Sequence, residues 1–337
     1  VTAPLSLIIT GFSPVLDVRK TLTPQLRTDQ GDSQLLLLDL AAGANRMGGS
    51  ILAQVFSEFG EVAPDVDDAD VLKGFFNTMQ QSLEQGDILA YHDRSDGGLL
   101  ATVAEMSFAG HVGVDLDLSD LGGSWMEALF NEELGAVIQV STDKAEAVTA
   151  RFAQANVAVH TLGGLNAIDR LVISHSGKEL FNETRTVLQR SWTETSYQMA
   201  ALRDNAHCVR EEFERISYTD EGLSAHLTFD PTKDISAPYI KTGVKPKVAI
   251  VREQGVNSHL EMAAAFDRAG FTAVDVHMSD LLAGRRSLAD YSGMIACGGF
   301  SYGDVLGAGE GWAKTVLFNT QIRDQFEQFF HRADTFS

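Results

Sequence analysis

Residues 87–98, DILAYHDRSDGG, constrain the first two thirds of the chain more than any other stretch. Ile88, Leu89, Ala90 and Tyr91 make an apolar run of strand length. The run delivers His92, Asp93, Ser95 and Asp96 to a turn that Gly97 and Gly98 make possible, and an apolar-periodic helix follows at once over 99–109. A strand, a glycine turn and a fresh helix start set carboxylates and a hydroxyl beside N–H groups at the positive end of a helix dipole. Such a place suits a phosphate and a divalent cation. Asp93 is a hard oxygen ligand of the kind Mg²⁺ takes, and Ser95 can hydrogen-bond a phosphate. The same residues also have a purely local reading, in which Asp96 caps the helix and Asp93 closes an Asx-turn. Capping does not exclude a ligand role, and two aspartates, a serine and a glycine pair in so short a space favour a nucleotide site.

A second unit of the same form lies upstream. QLLLLDLA at 34–41 reads as a central strand. It runs into Gly43, Asn45, Arg46, Gly48, Gly49 and Ser50, and then into a helix expected over 51–59. This is either a plain turn into a capped helix or a backbone wall for an anionic substrate. Residues 5–9 read as a strand and 71–83 as an amphipathic helix. Residues 112–118 alternate as a half-buried strand with a solvated acidic face. A helix beginning at 126 reaches Glu132 and Glu133, then Gly135 and a strand at 136–140. Carboxylates at a helix C-terminus are disfavoured, a weak hint of another role, but solvated glutamates are the expectation. A surface helix at 143–155, strands at 157–162 and 170–175, and one long helix over 181–205 complete this part.

The segment from Cys208 to Lys245 is charged, contains Pro231 and Pro238, and shows little period, which predicts a linker. From Lys247 strands and helices alternate: strands at 248–251, 273–277 and 294–296, helices at 259–269 and 312–330. Alternation of this kind predicts a parallel sheet whose site lies at the carboxyl ends of the strands. The Gln254 loop and the glycine-dense loop from Cys297 to Gly311 both fall at that edge.

The formal net charge is −20, which argues against sequence-independent nucleic-acid binding. No run of 18 apolar residues or signal peptide is visible, so no membrane partner is expected. The two cysteines, Cys208 and Cys297, give neither a disulfide framework nor a zinc spacing, so a cytoplasmic setting is the default. Val1 falls within what reads as a strand, so the start looks like a cut.

HDRSDGG at 92–98, with DVRK at 17–20 and LFNEELG at 129–135, resembles the C-terminal half of the aminoimidazole-ribonucleotide-synthetase-like ATP-binding superfamily. VREQGVNSHLEMAAAFDRAGF at 251–271 and ACGGFSYGDVLGAGEGWAK at 296–314 resemble the opening of a class I glutaminase domain. In this order they resemble the large, single-chain formylglycinamide ribonucleotide amidotransferases of purine biosynthesis, over essentially the whole chain. The resemblance implies an α/β and α+β chain. A synthetase C-terminal-like domain would span 1–205 and a linker 206–245. An incomplete class I glutaminase domain, flavodoxin-like, would span 246–337. It implies a ligase that uses ATP and Mg²⁺ to activate the amide oxygen of formylglycinamide ribonucleotide as an iminophosphate. Ammonia made from glutamine and delivered internally then displaces phosphate.

By motif position, Asp93 would hold Mg²⁺ and Ser95 would touch ATP, with Gly97 and Gly98 lining the site. The nucleotide there could be the reacting one or an auxiliary one. Gly298 and Gly299, with Phe300 beside them, would lend backbone N–H groups to an oxyanion hole; alternatively the glycines serve only the turn and helix packing. The nucleophilic cysteine of a class I glutaminase, on its strand-to-helix elbow, and its histidine and glutamate partners are absent from this sequence. Cys297 is no substitute, because it precedes the Gly-Gly turn, and it is expected to be a small buried residue. The elbow is expected after Ser337 and the main ATP loop before Val1. The partner would then be the remainder of the same polypeptide, and this piece alone would be inert. Two other readings stand beside this one. Another enzyme of the ATP-binding superfamily would lack the glutaminase-like tail. A non-catalytic scaffold would hold nucleotide only for stability.

Overall fold

Four consecutive leucines organise the first sheet. In a computed structural model, which describes residues 9–219, 222–300, 302–307 and 309–337, they lie in β1 (Ser33–Asp39). Strand side chains point alternately to opposite faces, so Leu35 and Leu37 enter one core while Leu36 and Leu38 enter another. All four are buried, each contributing about 2 kcal/mol of burial. The expected strand at 5–9 lies, but for Ile9, outside the described residues.

The chain divides into two compact units, Val1–Gly222 and Leu223–Ser337. In the first unit β1 is followed by β2 (Ile88–Asp93), β3 (Gly113–Asp117), β4 (Gly135–Ser141), β5 (Ala158–Asn166), β6 (Arg170–His175) and β7 (Lys178–Thr184). They form one sheet in the order β2-β4-β1-β5-β3-β6-β7. Neighbours run antiparallel except β3 and β6. The unit's helices are α1 (Ile51–Val55), α2 (Ala69–Gln85), α3 (Gly98–Gly110), α4 (Trp125–Phe130), α5 (Ala145–Gln154), α6 (Arg185–Arg203) and α7 (Ala206–Arg215). Leu99, Val103 and Met106 of α3, Leu129 of α4 and Leu188 of α6 pack on the Leu35/Leu37 face. Met79 of α2 and Val148 and Phe152 of α5 pack on the other.

Three expectations for this unit need correction. The helix expected from 181 begins only at Arg185, where the Thr184 hydroxyl caps the Val187 N–H. Residues 178–184 instead pair with β6 as a hairpin, because Ser176 (φ 52°) and Gly177 (φ 73°) form the doubly left-handed two-residue turn that suits strand twist. The helix at 51 stops at Val55, two residues before Ser57 turns left-handed (φ 60°). The segment expected as a linker opens with the helix α7, whose Phe213 stacks on Tyr197 of α6 at a centroid distance of 4.3 Å.

The second unit contains a single turn, α8 (Ala237–Ile240), then β8 (Lys247–Arg252), α9 (His259–Arg268), β9 (Thr272–His277), α10 (Met278–Leu282) and β10 (Gly293–Ala296). The three strands are parallel in the order β10-β8-β9, which is the 2-1-3 start of a flavodoxin-like sheet. Val248 and Ile250 of β8 pack towards Met262 and Phe266 of α9, and Ala249 and Val251 pack towards the opposite core. The helix expected over 312–330 is two helices, α11 (Glu310–Phe318) and α12 (Thr320–His331). Asn319 separates them: its backbone is extended and its side chain accepts from the Ile322 N–H at 3.1 Å, restarting the helix. Among the described residues no helix is long and apolar enough to cross a membrane.

Candidate functional site

β2 carries its residues to one end of the first sheet. The registers Asp93↔Ala136 and Asp39↔Gly135 bring the ends of β2 and β1 to the start of β4. Asp93 is the last strand residue, and its side chain is 59% exposed. Ser95 donates its hydroxyl to the Asp93 carboxylate, and that bond holds the carboxyl below its ordinary value. His92 lies between two acids, with Nε2 2.6 Å from Glu105 Oε2 of α3 and Nδ1 3.5 Å from Asp93 Oδ1. The Thr102 hydroxyl donates to the Gly98 carbonyl at 2.9 Å and approaches that of Asp93 at 3.3 Å, tying α3 to the strand end. An ionised, exposed carboxylate with a hydroxyl beside it fits Mg²⁺, which is commonly held by one or two carboxylates and leaves its other positions to water and phosphates.

Arg94 points the other way, into the protein. Its Nη2 lies 2.6 Å from Asp39 Oδ1, Nε donates to the Glu133 carbonyl at 2.7 Å, and Nη2 also donates to the Leu134 carbonyl at 3.1 Å. Glu133 is fully buried and grips Arg46 through Nε at 2.6 Å and Nη2 at 2.8 Å. Arg46 also reaches Asp67 at 2.9 Å. Two ion pairs thus brace the floor of the site, joining β1, β2, the Gly43–Ser50 loop and the α4–β4 connection.

Two of the N–H groups expected to be open at the start of α3 are engaged. Gly97 N–H donates to Glu132 Oε1 at 2.8 Å, and Gly98 N–H donates to the Ser95 carbonyl at 2.9 Å. The same Glu132 oxygen accepts from the Ile51 N–H at the start of α1, also at 2.8 Å. Glu132 and Glu133, expected as solvated glutamates, are therefore both committed to contacts across the fold. Gly98 (φ 68°) backs onto the α4 C-terminus: a Cβ there would lie 2.7 Å from the carbonyl oxygens of Leu129 and Asn131. In the upstream loop Gly48 N–H and Gly49 N–H donate to the carbonyls of Val62 and Phe59, each at 2.7 Å, and Ser50 caps α1. That loop is a turn into a capped helix, as its plainer reading held. A cavity of about 710 Å³ lies at the opposite end of the sheet, between Ser33 and Gly163–Asn166, away from Asp93.

In the second unit the Gln254 and Gly298 loops meet at the carboxyl edge of β8 and β10, where Tyr302 N–H donates to the Gln254 carbonyl at 2.9 Å. Gly299 has φ 128°, and a Cβ on it would lie 2.7 Å from Asn257 Oδ1, whereas Gly298 has open space at that position. Cys297 is 2% exposed, and burial pushes its thiol up, with Asp275 and Glu261 adding to the effect. It is the buried small residue expected and is poorly suited to act as a nucleophile.

Sequence reasoning singled out Asp93, Ser95, Gly97 and Gly98, which the structure gathers into one turn, and Gly298 and Gly299, which lie in the other unit. It missed Asp39, Arg94 and Glu105. For Asp39 the available signal was a charged residue immediately following an apolar strand run, which marks a buried partner as readily as a ligand.

The two units match two family models. Residues 33–175 match the C-terminal domain of AIR synthase related proteins, and residues 245–337 match the CobB/CobQ-like glutamine amidotransferase domain. In chain order the matches are to a synthetase-related domain and then to an amidotransferase domain. Among solved structures, Thermotoga maritima PurL complexed with ATP is 14% identical at a TM-score of 0.42, over 51% of this chain and 27% of that one. PurLQS from the same organism is 13% identical at a TM-score of 0.42, over 50% and 28%. The hydrogenase maturation protein HypE is 17% identical at a TM-score of 0.32, over 44% and 52%. The chain thus spans a little over a quarter of the length of the PurL chains it matches.

Proposed function

We propose that this chain is part of a cytoplasmic ligase that converts formylglycinamide ribonucleotide, ATP and glutamine into formylglycinamidine ribonucleotide, ADP, phosphate and glutamate. The observation that carries this reading is the presence in one chain of an AIR-synthase-related domain followed by a glutamine amidotransferase domain. ATP would phosphorylate the amide oxygen of the substrate, and ammonia released from glutamine would displace phosphate to leave the amidine. In the first unit Asp93 would hold Mg²⁺, which would neutralise phosphate charge, while Ser95 would contact the nucleotide and orient the Asp93 carboxylate. The Gly97–Gly98 turn would shape the wall of the site. In the second unit the Gly298–Gly299 backbone would face the oxyanion of the glutamine intermediate, with the nucleophile supplied from outside these 337 residues.

The experiment is an assay of the full-length polypeptide with ATP, Mg²⁺ and glutamine. The expected result is formylglycinamide-ribonucleotide-dependent release of phosphate and glutamate in equal amounts, with formation of the amidine. ATP hydrolysis indifferent to that substrate, or glutamine turnover with no amidine formed, would overturn the proposal.

A further inference from the structure

The cations and carboxylates around Asp93 are sorted in a way that the bound chemistry alone would not require. The two nearest arginines are turned inward and committed: Arg94 to Asp39, Arg46 to Glu133 and Asp67. Three carboxylates remain at the turn itself, and one of them, Asp96, is exposed. Asp93 is bonded by Ser95 and faced by His92. Glu132 accepts from two backbone N–H groups, those of Gly97 and Ile51. Among the described residues none of the three is ion-paired with a lysine or arginine. A free polyphosphate arriving here meets three carboxylates with no lysine or arginine countercharge, and it finds the Gly97 N–H already engaged by one of them.

We propose that Glu132 makes the Asp93 site take its nucleotide only as the divalent-metal complex. Its charge repels the free polyanion, and its Oε1 holds the N–H that a bare phosphate oxygen would use. A metal ion on Asp93 reverses the local balance and carries the phosphates in. Glu132 is suited to the task because it reaches the turn from the α4–β4 connection and is pinned by two donors at 2.8 Å, so it cannot swing aside without vacating both helix starts. The inference deepens the nucleotide reading of the Asp93 site and rests on it.

The test is calorimetric titration of ADP into the full-length chain, with Mg²⁺ or with EDTA, for the wild type, Glu132→Gln and Asp93→Asn. The site is defined by the binding that Asp93→Asn removes. Glutamine keeps an acceptor oxygen for both N–H groups and removes the charge. Glu132→Ala is the second neutral variant should the glutamine be misplaced, and a thermal melt checks the fold of each. The expected result is that metal-free ADP affinity rises roughly tenfold in the neutral variants, while affinity for the Mg²⁺ complex stays within about threefold. An unchanged metal-free affinity in both neutral variants, with wild type still binding Mg²⁺-ADP, overturns the role of Glu132. If no ADP binding depends on Asp93 under any condition, the nucleotide reading itself falls, and the inference with it.

Discussion

Replacing Arg94 by methionine tests whether the floor of the site is scaffold. The Arg94 and Asp39 side chains are 3% and 8% exposed, and their closest atoms are 2.6 Å apart. Removing one partner of such a buried pair leaves the other charge stranded, at a cost of about 3–5 kcal/mol. Two features place the expected cost within that range rather than above it. Asp39 retains long bonds from Gly43 N–H at 3.2 Å and Ala41 N–H at 3.4 Å, and the Leu134 carbonyl keeps the Leu40 N–H at 3.1 Å. The Glu133 carbonyl loses its Arg94 donor. The expected loss for Arg94→Met is about 4 kcal/mol. Adding Asp39→Asn removes the stranded charge, so the double variant should be more stable than the sum of the single effects predicts, by about 2 kcal/mol. Urea unfolding of the first unit, read by Trp125 and Trp192 fluorescence in a Trp312→Phe background, measures both quantities. A loss under about 1 kcal/mol for Arg94→Met, or strict additivity in the double variant, would refute the argument that this pair braces β1 against β2.

Other outcomes follow from the same geometry. Ser95 holds the Asp93 carboxyl below its ordinary value, so the folded state favours the carboxylate. That contribution is present above the unfolded value of about 3.9 and is lost as pH falls through the lower folded value. Ser95→Ala should move the Asp93 titration upward in metal-free carbon NMR, and an unmoved titration would contradict the assigned cause. Gly98→Ala and Gly86→Ala share a φ of 68°, but only at Gly98 does the new Cβ meet backbone oxygens, at 2.7 Å. Denaturant midpoints should therefore show Gly98→Ala to be more destabilising by about 2 kcal/mol, and equal effects would refute the close packing of the turn on α4. In the full-length protein Gly299→Ala should lower glutamine hydrolysis at least tenfold, on the order of what a small displacement of a catalytic loop costs. Gly298→Ala, which meets open space, should have a much smaller effect, and the reverse order in steady-state rates would refute the placement of Gly299 against Asn257.

What can be read from the sequence divides along a physical line. β1 and β8 are legible because continuous apolar runs report burial on both faces, and the Asp93 turn because its glycines and acids are adjacent in sequence. β7 is not, since KELFNET lies at a sheet edge with much of its length exposed and lacks a strong alternating signal; the Ser176–Gly177 turn was the better clue. The break at Asn319 is hidden because the apolar spacing continues through it, and only the capping chemistry of asparagine marks it. The commitments of Glu132 and Glu133 are out of reach for a different reason. Their partners Ile51 and Arg46 lie 81 and 87 positions away, and local periodicity carries no information about pairing at that range.

The most direct test of the nucleotide site is the binding of Mn²⁺, as a paramagnetic stand-in for Mg²⁺, to the full-length chain in the presence of ADP. The account predicts that Asp93→Asn lowers Mn²⁺ affinity at least tenfold, the scale expected when a metal site is disrupted, with cooperative unfolding retained. Wild-type Mn²⁺ affinity in Asp93→Asn would contradict it.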